Sequence, residues 1–326
     1  MILQVSAQMF LVILVGLLAR RRGYLTAEST GTLGRFIIDV TFPALIFTQV
    51  LRTMDQAVLL NQWYVPLFGA GFILAGQLVG SLLAPIFAPK PQQPTFIFLV
   101  ALTNWTFLPL PIAHALFAEA GTQAVLLMNI GAQVLLWTLC VWRLGKNAAR
   151  RPPTLQLLIN PGLLATAASL LLVLTNAPVH VWAKGVGQAY GAEIVAKTAF
   201  DAASLVASLT VPLSMLVTGG QLAGALERGL HLSKPLWGVL LGRLLVTPLL
   251  MTLGLMALRR AGFHSAAVPT HVACLIAGMP AAVSCGAFCD RYGGDTDLAT
   301  QVVFTSTLIG LATVPVLEMV LGIWGM

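Results

Sequence analysis

The chain has 326 residues; Ala, Val, Ile, Leu, Met, Phe, Trp, Tyr and Cys make up 58% of them, and Asp, Glu, Lys and Arg only 9%. Soluble domains carry about 25% charged residues, so this composition, with a mean hydropathy of +0.89, excludes a soluble fold and identifies an integral membrane protein. The net charge of +7 calls for no nucleic-acid partner, because basic residues gather in the cytoplasmic loops of membrane proteins.

A helix crosses the hydrocarbon with roughly 20 apolar residues, and ten such runs follow one another. The first five lie at about 4–19, 33–51, 64–87, 95–117 and 121–142. The second five lie at about 157–176, 200–222, 235–258, 266–289 and 299–324. The first run lacks a basic leader and a small-residue cleavage site, which marks it as a retained helix. Residues 178–197 are too polar to span and read as a surface or interfacial segment. Cys140, Cys274, Cys285 and Cys289 lie in apolar stretches without metal-ligand spacing and read as small buried hydrophobes.

With ten spans the loops alternate sides. Twelve Lys and Arg residues then fall on one side, among them Arg20, Arg21, Arg22, Arg143 and Arg150, and five on the other: Arg52, Lys184, Lys197, Arg259 and Arg260. Arg243 lies inside a span and is left out. The richer side is the cytoplasmic one, which puts the loop at 143–153 inside and both termini outside. The expected location is the cell membrane, as a multi-pass protein of a bacterial inner membrane with lipid as its surroundings.

The basic loop RLGKNAARRPP (143–153) is the natural midpoint. It divides the chain into a first five-helix repeat (1–142), a cytoplasmic linker (143–156) and a second repeat (157–326). Five is odd, so two similar halves must enter the membrane in opposite directions. Asp39-Val-Thr-Phe-Pro43 in the second span matches Ser208-Leu-Thr-Val-Pro212 in the seventh. Gly76-x-x-x-Gly80 in the third matches Gly238-x-x-x-Gly242 in the eighth, a pattern that lets helices approach closely. The fourth span reads Thr103-Asn104-Trp105-Thr106-Phe107-Leu108-Pro109-Leu110-Pro111, and the ninth reads Gly278-Met279-Pro280-Ala281-Ala282-Val283-Ser284. A proline inside a helix removes a hydrogen bond and clashes with the preceding turn. Both spans are therefore predicted to unwind, near Pro109–Pro111 and near Pro280, with the breaks side by side. Irregular backbone at membrane depth is tolerated only where protein buries it or it lines a cavity, and paired interruptions point to a transporter's binding site.

These residues resemble the auxin efflux carrier family, which includes the plant PIN proteins and bacterial malonate and malate permeases. Asn104 and Pro111 keep the spacing of the family's Asn-Thr-x-x-x-Gly-x-Pro pattern, with Trp105 and Pro109 departing from it. Asn160-Pro161 is similar to the family's Asn-Pro element. The stretch 279–315 resembles its proline, tyrosine and Ser-Thr pattern, and RRRGYLT and FPALIF also fit. The resemblance covers nearly the whole chain, and the short midpoint loop is similar to the compact bacterial members. It implies an all-α membrane fold of ten helices in two inverted repeats, bile-acid-symporter-like, with fourth and ninth helices crossing where they unwind. It further implies scaffold and transport domains, an elevator motion, and organic anions such as malonate, malate or indole-acetate as cargo.

Polar groups at membrane depth are the candidates for function. Asn104 offers amide donors to a carboxylate or a hydrogen bond to a neighbouring helix. Thr103, Pro109, Pro111, Pro280 and Ser284 surround it as candidate substrate-binding positions. Asp39 reads as a proton or ion site, or as the partner of Arg35 four residues earlier on the same face. Arg243 either attracts the substrate or pairs with a carboxylate from another span. Thr106, Thr305, Ser306 and Thr307 are cavity candidates, although Ser and Thr in membrane helices often bond their own backbone. Glu318 lies near the outer end. His114 and His271 read as packing residues.

The chain has no H-E-x-x-H spacing, no G-x-x-x-x-G-K-[ST] loop and no nucleophile elbow, so neither a metal, a cofactor nor an enzyme activity is expected. The reading is a secondary carrier of a small organic anion by alternating access. A sodium-coupled bile-acid-type symporter is the rival on the same fold; the absence of a carboxylate between Pro280 and Asp290 weakens it, since hard cations favour carboxylate oxygens. A membrane receptor or intramembrane enzyme would need a signalling extension or a catalytic constellation. Substrate, direction and coupling ion stay open, as does oligomeric state, a homodimer included.

Overall fold

The computed structural model describes residues 2–145, 159–185, 190–191, 193–229, 232–263 and 266–323. The midpoint linker therefore lies outside the described residues beyond Gly145. All regular structure among the described residues is helical, as the bilayer demands of a chain whose backbone must satisfy its own hydrogen bonds. In chain order the helices are α1 (Ile2–Arg21), α2 (Ala27–Thr53), α3 (Gln56–Asn61), α4 (Val65–Phe87), α5 (Gln93–Ala101) and α6 (Pro109–Leu144). There follow α7 (Pro161–Leu174), α8 (Pro178–Ala183), α9 (Glu193–Ser208), α10 (Thr210–Arg228) and α11 (Lys234–Arg260). The last are α12 (Ala267–Ala277), α13 (Cys285–Tyr292) and α14 (Thr296–Ile323). Among the described residues five stretches, α2, α4, α6 and α11 among them, are long and apolar enough to cross a membrane.

Local chemistry sets several of these boundaries. The second apolar run begins as a helix at Ala27, because Thr26 and Ser29 form a reciprocal capping box ahead of it. Asn160 caps α7 by accepting from the Leu163 N–H, with Pro161 in the first turn, where a missing N–H costs nothing. The Asn-Pro element is thus a helix start. The run expected from residue 200 begins as helix at Glu193, carried by the exposed Lys197–Asp201 pair at 2.8 Å one turn apart. Pro43 is accommodated by a π-turn at Ile37–Thr41 just before it. The Thr210 hydroxyl, two residues before Pro212, donates to the Thr41 carbonyl, two residues before Pro43, at 2.8 Å.

The fourth and fifth apolar runs are joined within α6 by one non-helical residue, Ala118, at φ 50 and ψ −133. Residues eight apart in a straight helix are separated by about 12 Å. Here His114 Nδ1 meets Thr122 Oγ1 at 3.1 Å, so the chain folds sharply at Ala118. A side chain at Gly121 would collide with the Ala113 carbonyl.

The helices pack as two groups. In one, α1 lies along α10, and α2 packs against α7 and α9. In the other, α4 packs against α5, α6 and α11, while α12 lies on α6 and α13 on α14. The glycine pairs seen in the sequence serve this second group. A Cβ at Gly76 would sit 2.5 Å from the Ala101 Cα, and one at Gly80 2.9 Å from the Ile97 Cα, so α4 meets α5 backbone to backbone.

Candidate functional site

Two stretches leave the helical ladder inside the apolar body: 102–108, between α5 and α6, and 278–284, between α12 and α13. The first interruption lies ahead of its prolines, because Pro109 opens α6 and Pro111 sits in the same first turn. The two stretches run antiparallel and pair at Thr103 and Ala281. The Asn104 N–H donates to the Pro280 carbonyl at 2.9 Å, and the Ala282 N–H to the Leu102 carbonyl at 3.2 Å. Backbone groups released by one break are thereby taken up by the other, which satisfies them without water. The Thr103 hydroxyl lies 3.2 Å from the Met279 carbonyl and 3.3 Å from that of Ile276, so it fastens the two breaks together. The Ser306 hydroxyl from α14 accepts from the Ala281 N–H at 3.2 Å, and Gly310 packs on the Pro280 ring.

A cavity of about 140 Å³ opens beside this pairing. Its walls come from both packing groups: Ile38, Asp39 and Phe42 of α2 and Asn160 to Gly162 on one side, and the 102–107 stretch, Asn129, Gln133 and Ser284 on the other. Asn104 is 2% exposed; its Oδ1 accepts from the Phe107 N–H at 3.1 Å, which leaves its NH₂ as the donor available to the cavity. Both amide atoms of Gln133, the Trp105 Nε1 and the Thr106 hydroxyl are buried without a partner among the described residues. Buried polar groups normally find partners, so these amide, indole and hydroxyl groups are the candidates for contact with a bound solute.

Beyond the cavity lies a second, larger space of about 610 Å³, lined by Arg20, Arg35, Asp290, Arg291 and Asp297 among others. Ile38, Asp39, Trp137, Phe288, Arg291 and Tyr292 line both spaces and stand between them. Asp39 faces Arg291 there at 3.7 Å, both half-exposed. Arg35 donates instead to Thr32 Oγ1 at 3.2 Å, so the partner of Asp39 comes from α13 and not from its own helix.

The other sequence candidates sit apart from the cavity. Arg243, fully buried, donates to the carbonyls of Val100 and Ala277. Pro109, Pro111 and Pro280 shape the breaks without lining the cavity. His114 bonds Thr122, and His271 stacks edge-on against Phe117 at 5.1 Å. Thr305 Oγ1 is buried without a partner among the described residues, and Thr307 is buried. The Glu318 side chain is outside the described set. Sequence reasoning passed over Asn129 and Gln133. The signal was there: two amides four residues apart, hence on one helix face, in an otherwise apolar run. Arg291 was counted only as a loop charge.

Comparison with known proteins gives one family. A family model described as membrane transport protein matches residues 1–154 and 153–318. No curated protein matches the chain. The two matches together take in nearly the whole sequence, and the chain belongs to this membrane transport protein family, that of the auxin efflux carriers.

Proposed function

We propose that the protein is a secondary carrier of a small organic anion, such as malonate, malate or an auxin-like carboxylate, bound in the cavity beside the two paired helix breaks. The observation that carries this reading is the set of unpartnered donors, from Gln133, Trp105 and Thr106, beside the Asn104 amide. An anion at membrane depth needs such donors, because an unpaired charge there costs several kcal/mol. At about 140 Å³ the cavity is well below the roughly 300–1,000 Å³ of pockets for drug-sized ligands, which suits a small cargo.

The remainder of the reading follows from the packing. Ten spans in two inverted repeats account for two breaks that pair antiparallel. The group holding both breaks is the moving body of an elevator, and the group of α1, α2, α7, α9 and α10 is its fixed frame. The larger space carries Arg20, Arg35 and Arg291, which the loop-charge asymmetry assigns to the cytoplasm, so the conformation is open inward.

The test is uptake of labelled malonate, malate and indole-acetate into proteoliposomes, with and without proton and sodium gradients. Saturable, vectorial uptake of one carboxylate that Asn104→Ala abolishes or weakens supports the carrier. Binding without uptake would favour a receptor, and no response to any carboxylate would remove the anion assignment.

A further inference from the structure

The two half-helices that lead into the breaks, α5 and α12, end on the same side chain. Arg243, in the π-turn Gly242–Val246 of α11, is 0% exposed. Its Nη1 donates to the Val100 carbonyl at 3.4 Å and its Nη2 to the Ala277 carbonyl at 2.6 Å. Val100 is the penultimate residue of α5, and Ala277 is the last of α12. In a continuous helix these carbonyls would accept from the N–H groups of Asn104 and Ala281. Both N–H groups are engaged elsewhere: Asn104 N–H on the Pro280 carbonyl and Ala281 N–H on the Ser306 hydroxyl. The guanidinium therefore fills two vacancies that the breaks create.

No Asp or Glu pairs with Arg243 among the described residues. Its counter-charge is the backbone. A helix C-terminus carries roughly −0.5 of an elementary charge, so two converging C-termini offset about one positive charge. In transporters with interrupted helices such ends and their freed carbonyls commonly coordinate a mobile sodium ion. A guanidinium stays protonated at physiological pH and presents a rigid fork of donors, which reaches both carbonyls at once.

We propose that Arg243 is the resident counter-cation of the paired breaks, standing where a mobile alkali ion would otherwise bridge the two half-helix ends, and that this crossing is complete without sodium. The consequence for transport, sodium-independent anion binding, rests on the carrier reading; the structural claim does not.

The test is therefore a melting experiment on the full-length chain in detergent, which needs no transport. Melting is compared in sodium chloride and in N-methylglucamine chloride at equal ionic strength. The wild type is expected to melt at the same temperature in both. Arg243→Met removes the charge at similar volume. It is expected to melt lower and to gain a sodium-specific rise that grows with sodium concentration, as for any ligand bound only by the folded state. Arg243→Lys keeps the charge and is expected to fall between the two with no sodium response. A saturable sodium-specific stabilisation of the wild type would overturn the proposal. So would an Arg243→Met protein as stable as wild type, or one that melts lower with no sodium response. Should Arg243→Met not fold, the lysine variant decides: it must fold and ignore sodium, and if it too fails to fold, shape and not charge is what the position requires. Absence of carboxylate uptake by the wild type, with these melting results intact, would count against the carrier reading alone.

Discussion

Asn104 commits its amide oxygen to the Phe107 N–H, so Asn104→Ala removes that bond together with the NH₂ that the cavity sees. Asn104→Ala is expected to weaken binding of the transported carboxylate by about 1–3 kcal/mol, the usual cost of stranding a buried partner. Isothermal titration with the anion that proteoliposome uptake identifies measures it. Gln133 differs, because neither of its amide atoms has a partner among the described residues. Exchanging an unpaired buried amide for an apolar group of similar shape is neutral or stabilising. Gln133→Leu is therefore expected to melt at or above wild type while losing uptake, a split that a packing residue would not give. Asp55, outside the spans, supplies a pH-dependent case. Its carboxylate accepts from the Val58 N–H and from Lys184, which hold its pKa below the ordinary 3.8. A depressed folded pKa means the contribution is present above the unfolded value and is lost as pH falls through the folded one. Asp55→Asn keeps the helix cap and should flatten the acid side of the melting-temperature profile below about pH 4, whereas Asp55→Ala should lower stability by about 1 kcal/mol at neutral pH.

At the level of elements, the prolines matter through the N–H groups they lack. For α5 to run on into α6, residues 109 and 111 would have to donate to the carbonyls of Trp105 and Phe107, and proline cannot. Pro109→Ala with Pro111→Ala restores both donors and is expected to favour a continuous helix, so uptake should fall by more than thermal stability does. Equal losses would mean that the prolines only support folding. The sequence made the presence of these breaks legible, since Pro109, Pro111 and Pro280 each forbid a helical bond. Their extent was not legible, because the 102–108 stretch unwinds ahead of its prolines through the pairing of Asn104 with Pro280 and of Ala282 with Leu102, contacts nearly 180 residues apart that no local rule contains. The small-residue faces at Gly76 and Gly80 were legible for the same reason as the prolines: only a missing side chain allows that approach. Asp39 illustrates the opposite case. Spacing on α2 offered Arg35, but the π-turn at Ile37–Thr41 breaks the four-residue register between them, and the partner is Arg291 on α13.

For the molecule as a whole, the question is which side reaches the cavity. The two spaces share the wall residues around Asp39 and Arg291, and the larger one is ringed by residues from α1, α2, α10, α13 and α14 among others, which on the carrier reading makes it the approach to the smaller cavity. On the proposed topology that end, which carries the Lys and Arg excess, faces the cytoplasm. Cys140, Cys274, Cys285 and Cys289 are all buried, which leaves little background for thiol labelling. Gln221 lines the larger space. Gln221→Cys should therefore react with an impermeant maleimide in inside-out vesicles and stay unlabelled in right-side-out ones, and a cysteine at Lys184, beside Asp55 at the opposite end, should show the reverse. A transported anion should slow labelling of Gln221→Cys if it draws the moving group towards the outward position, whereas a rigid receptor would give no change unless the anion itself covered the thiol. Labelling of both positions from the same side would overturn the orientation, and labelling of Gln221→Cys from outside alone would invert it.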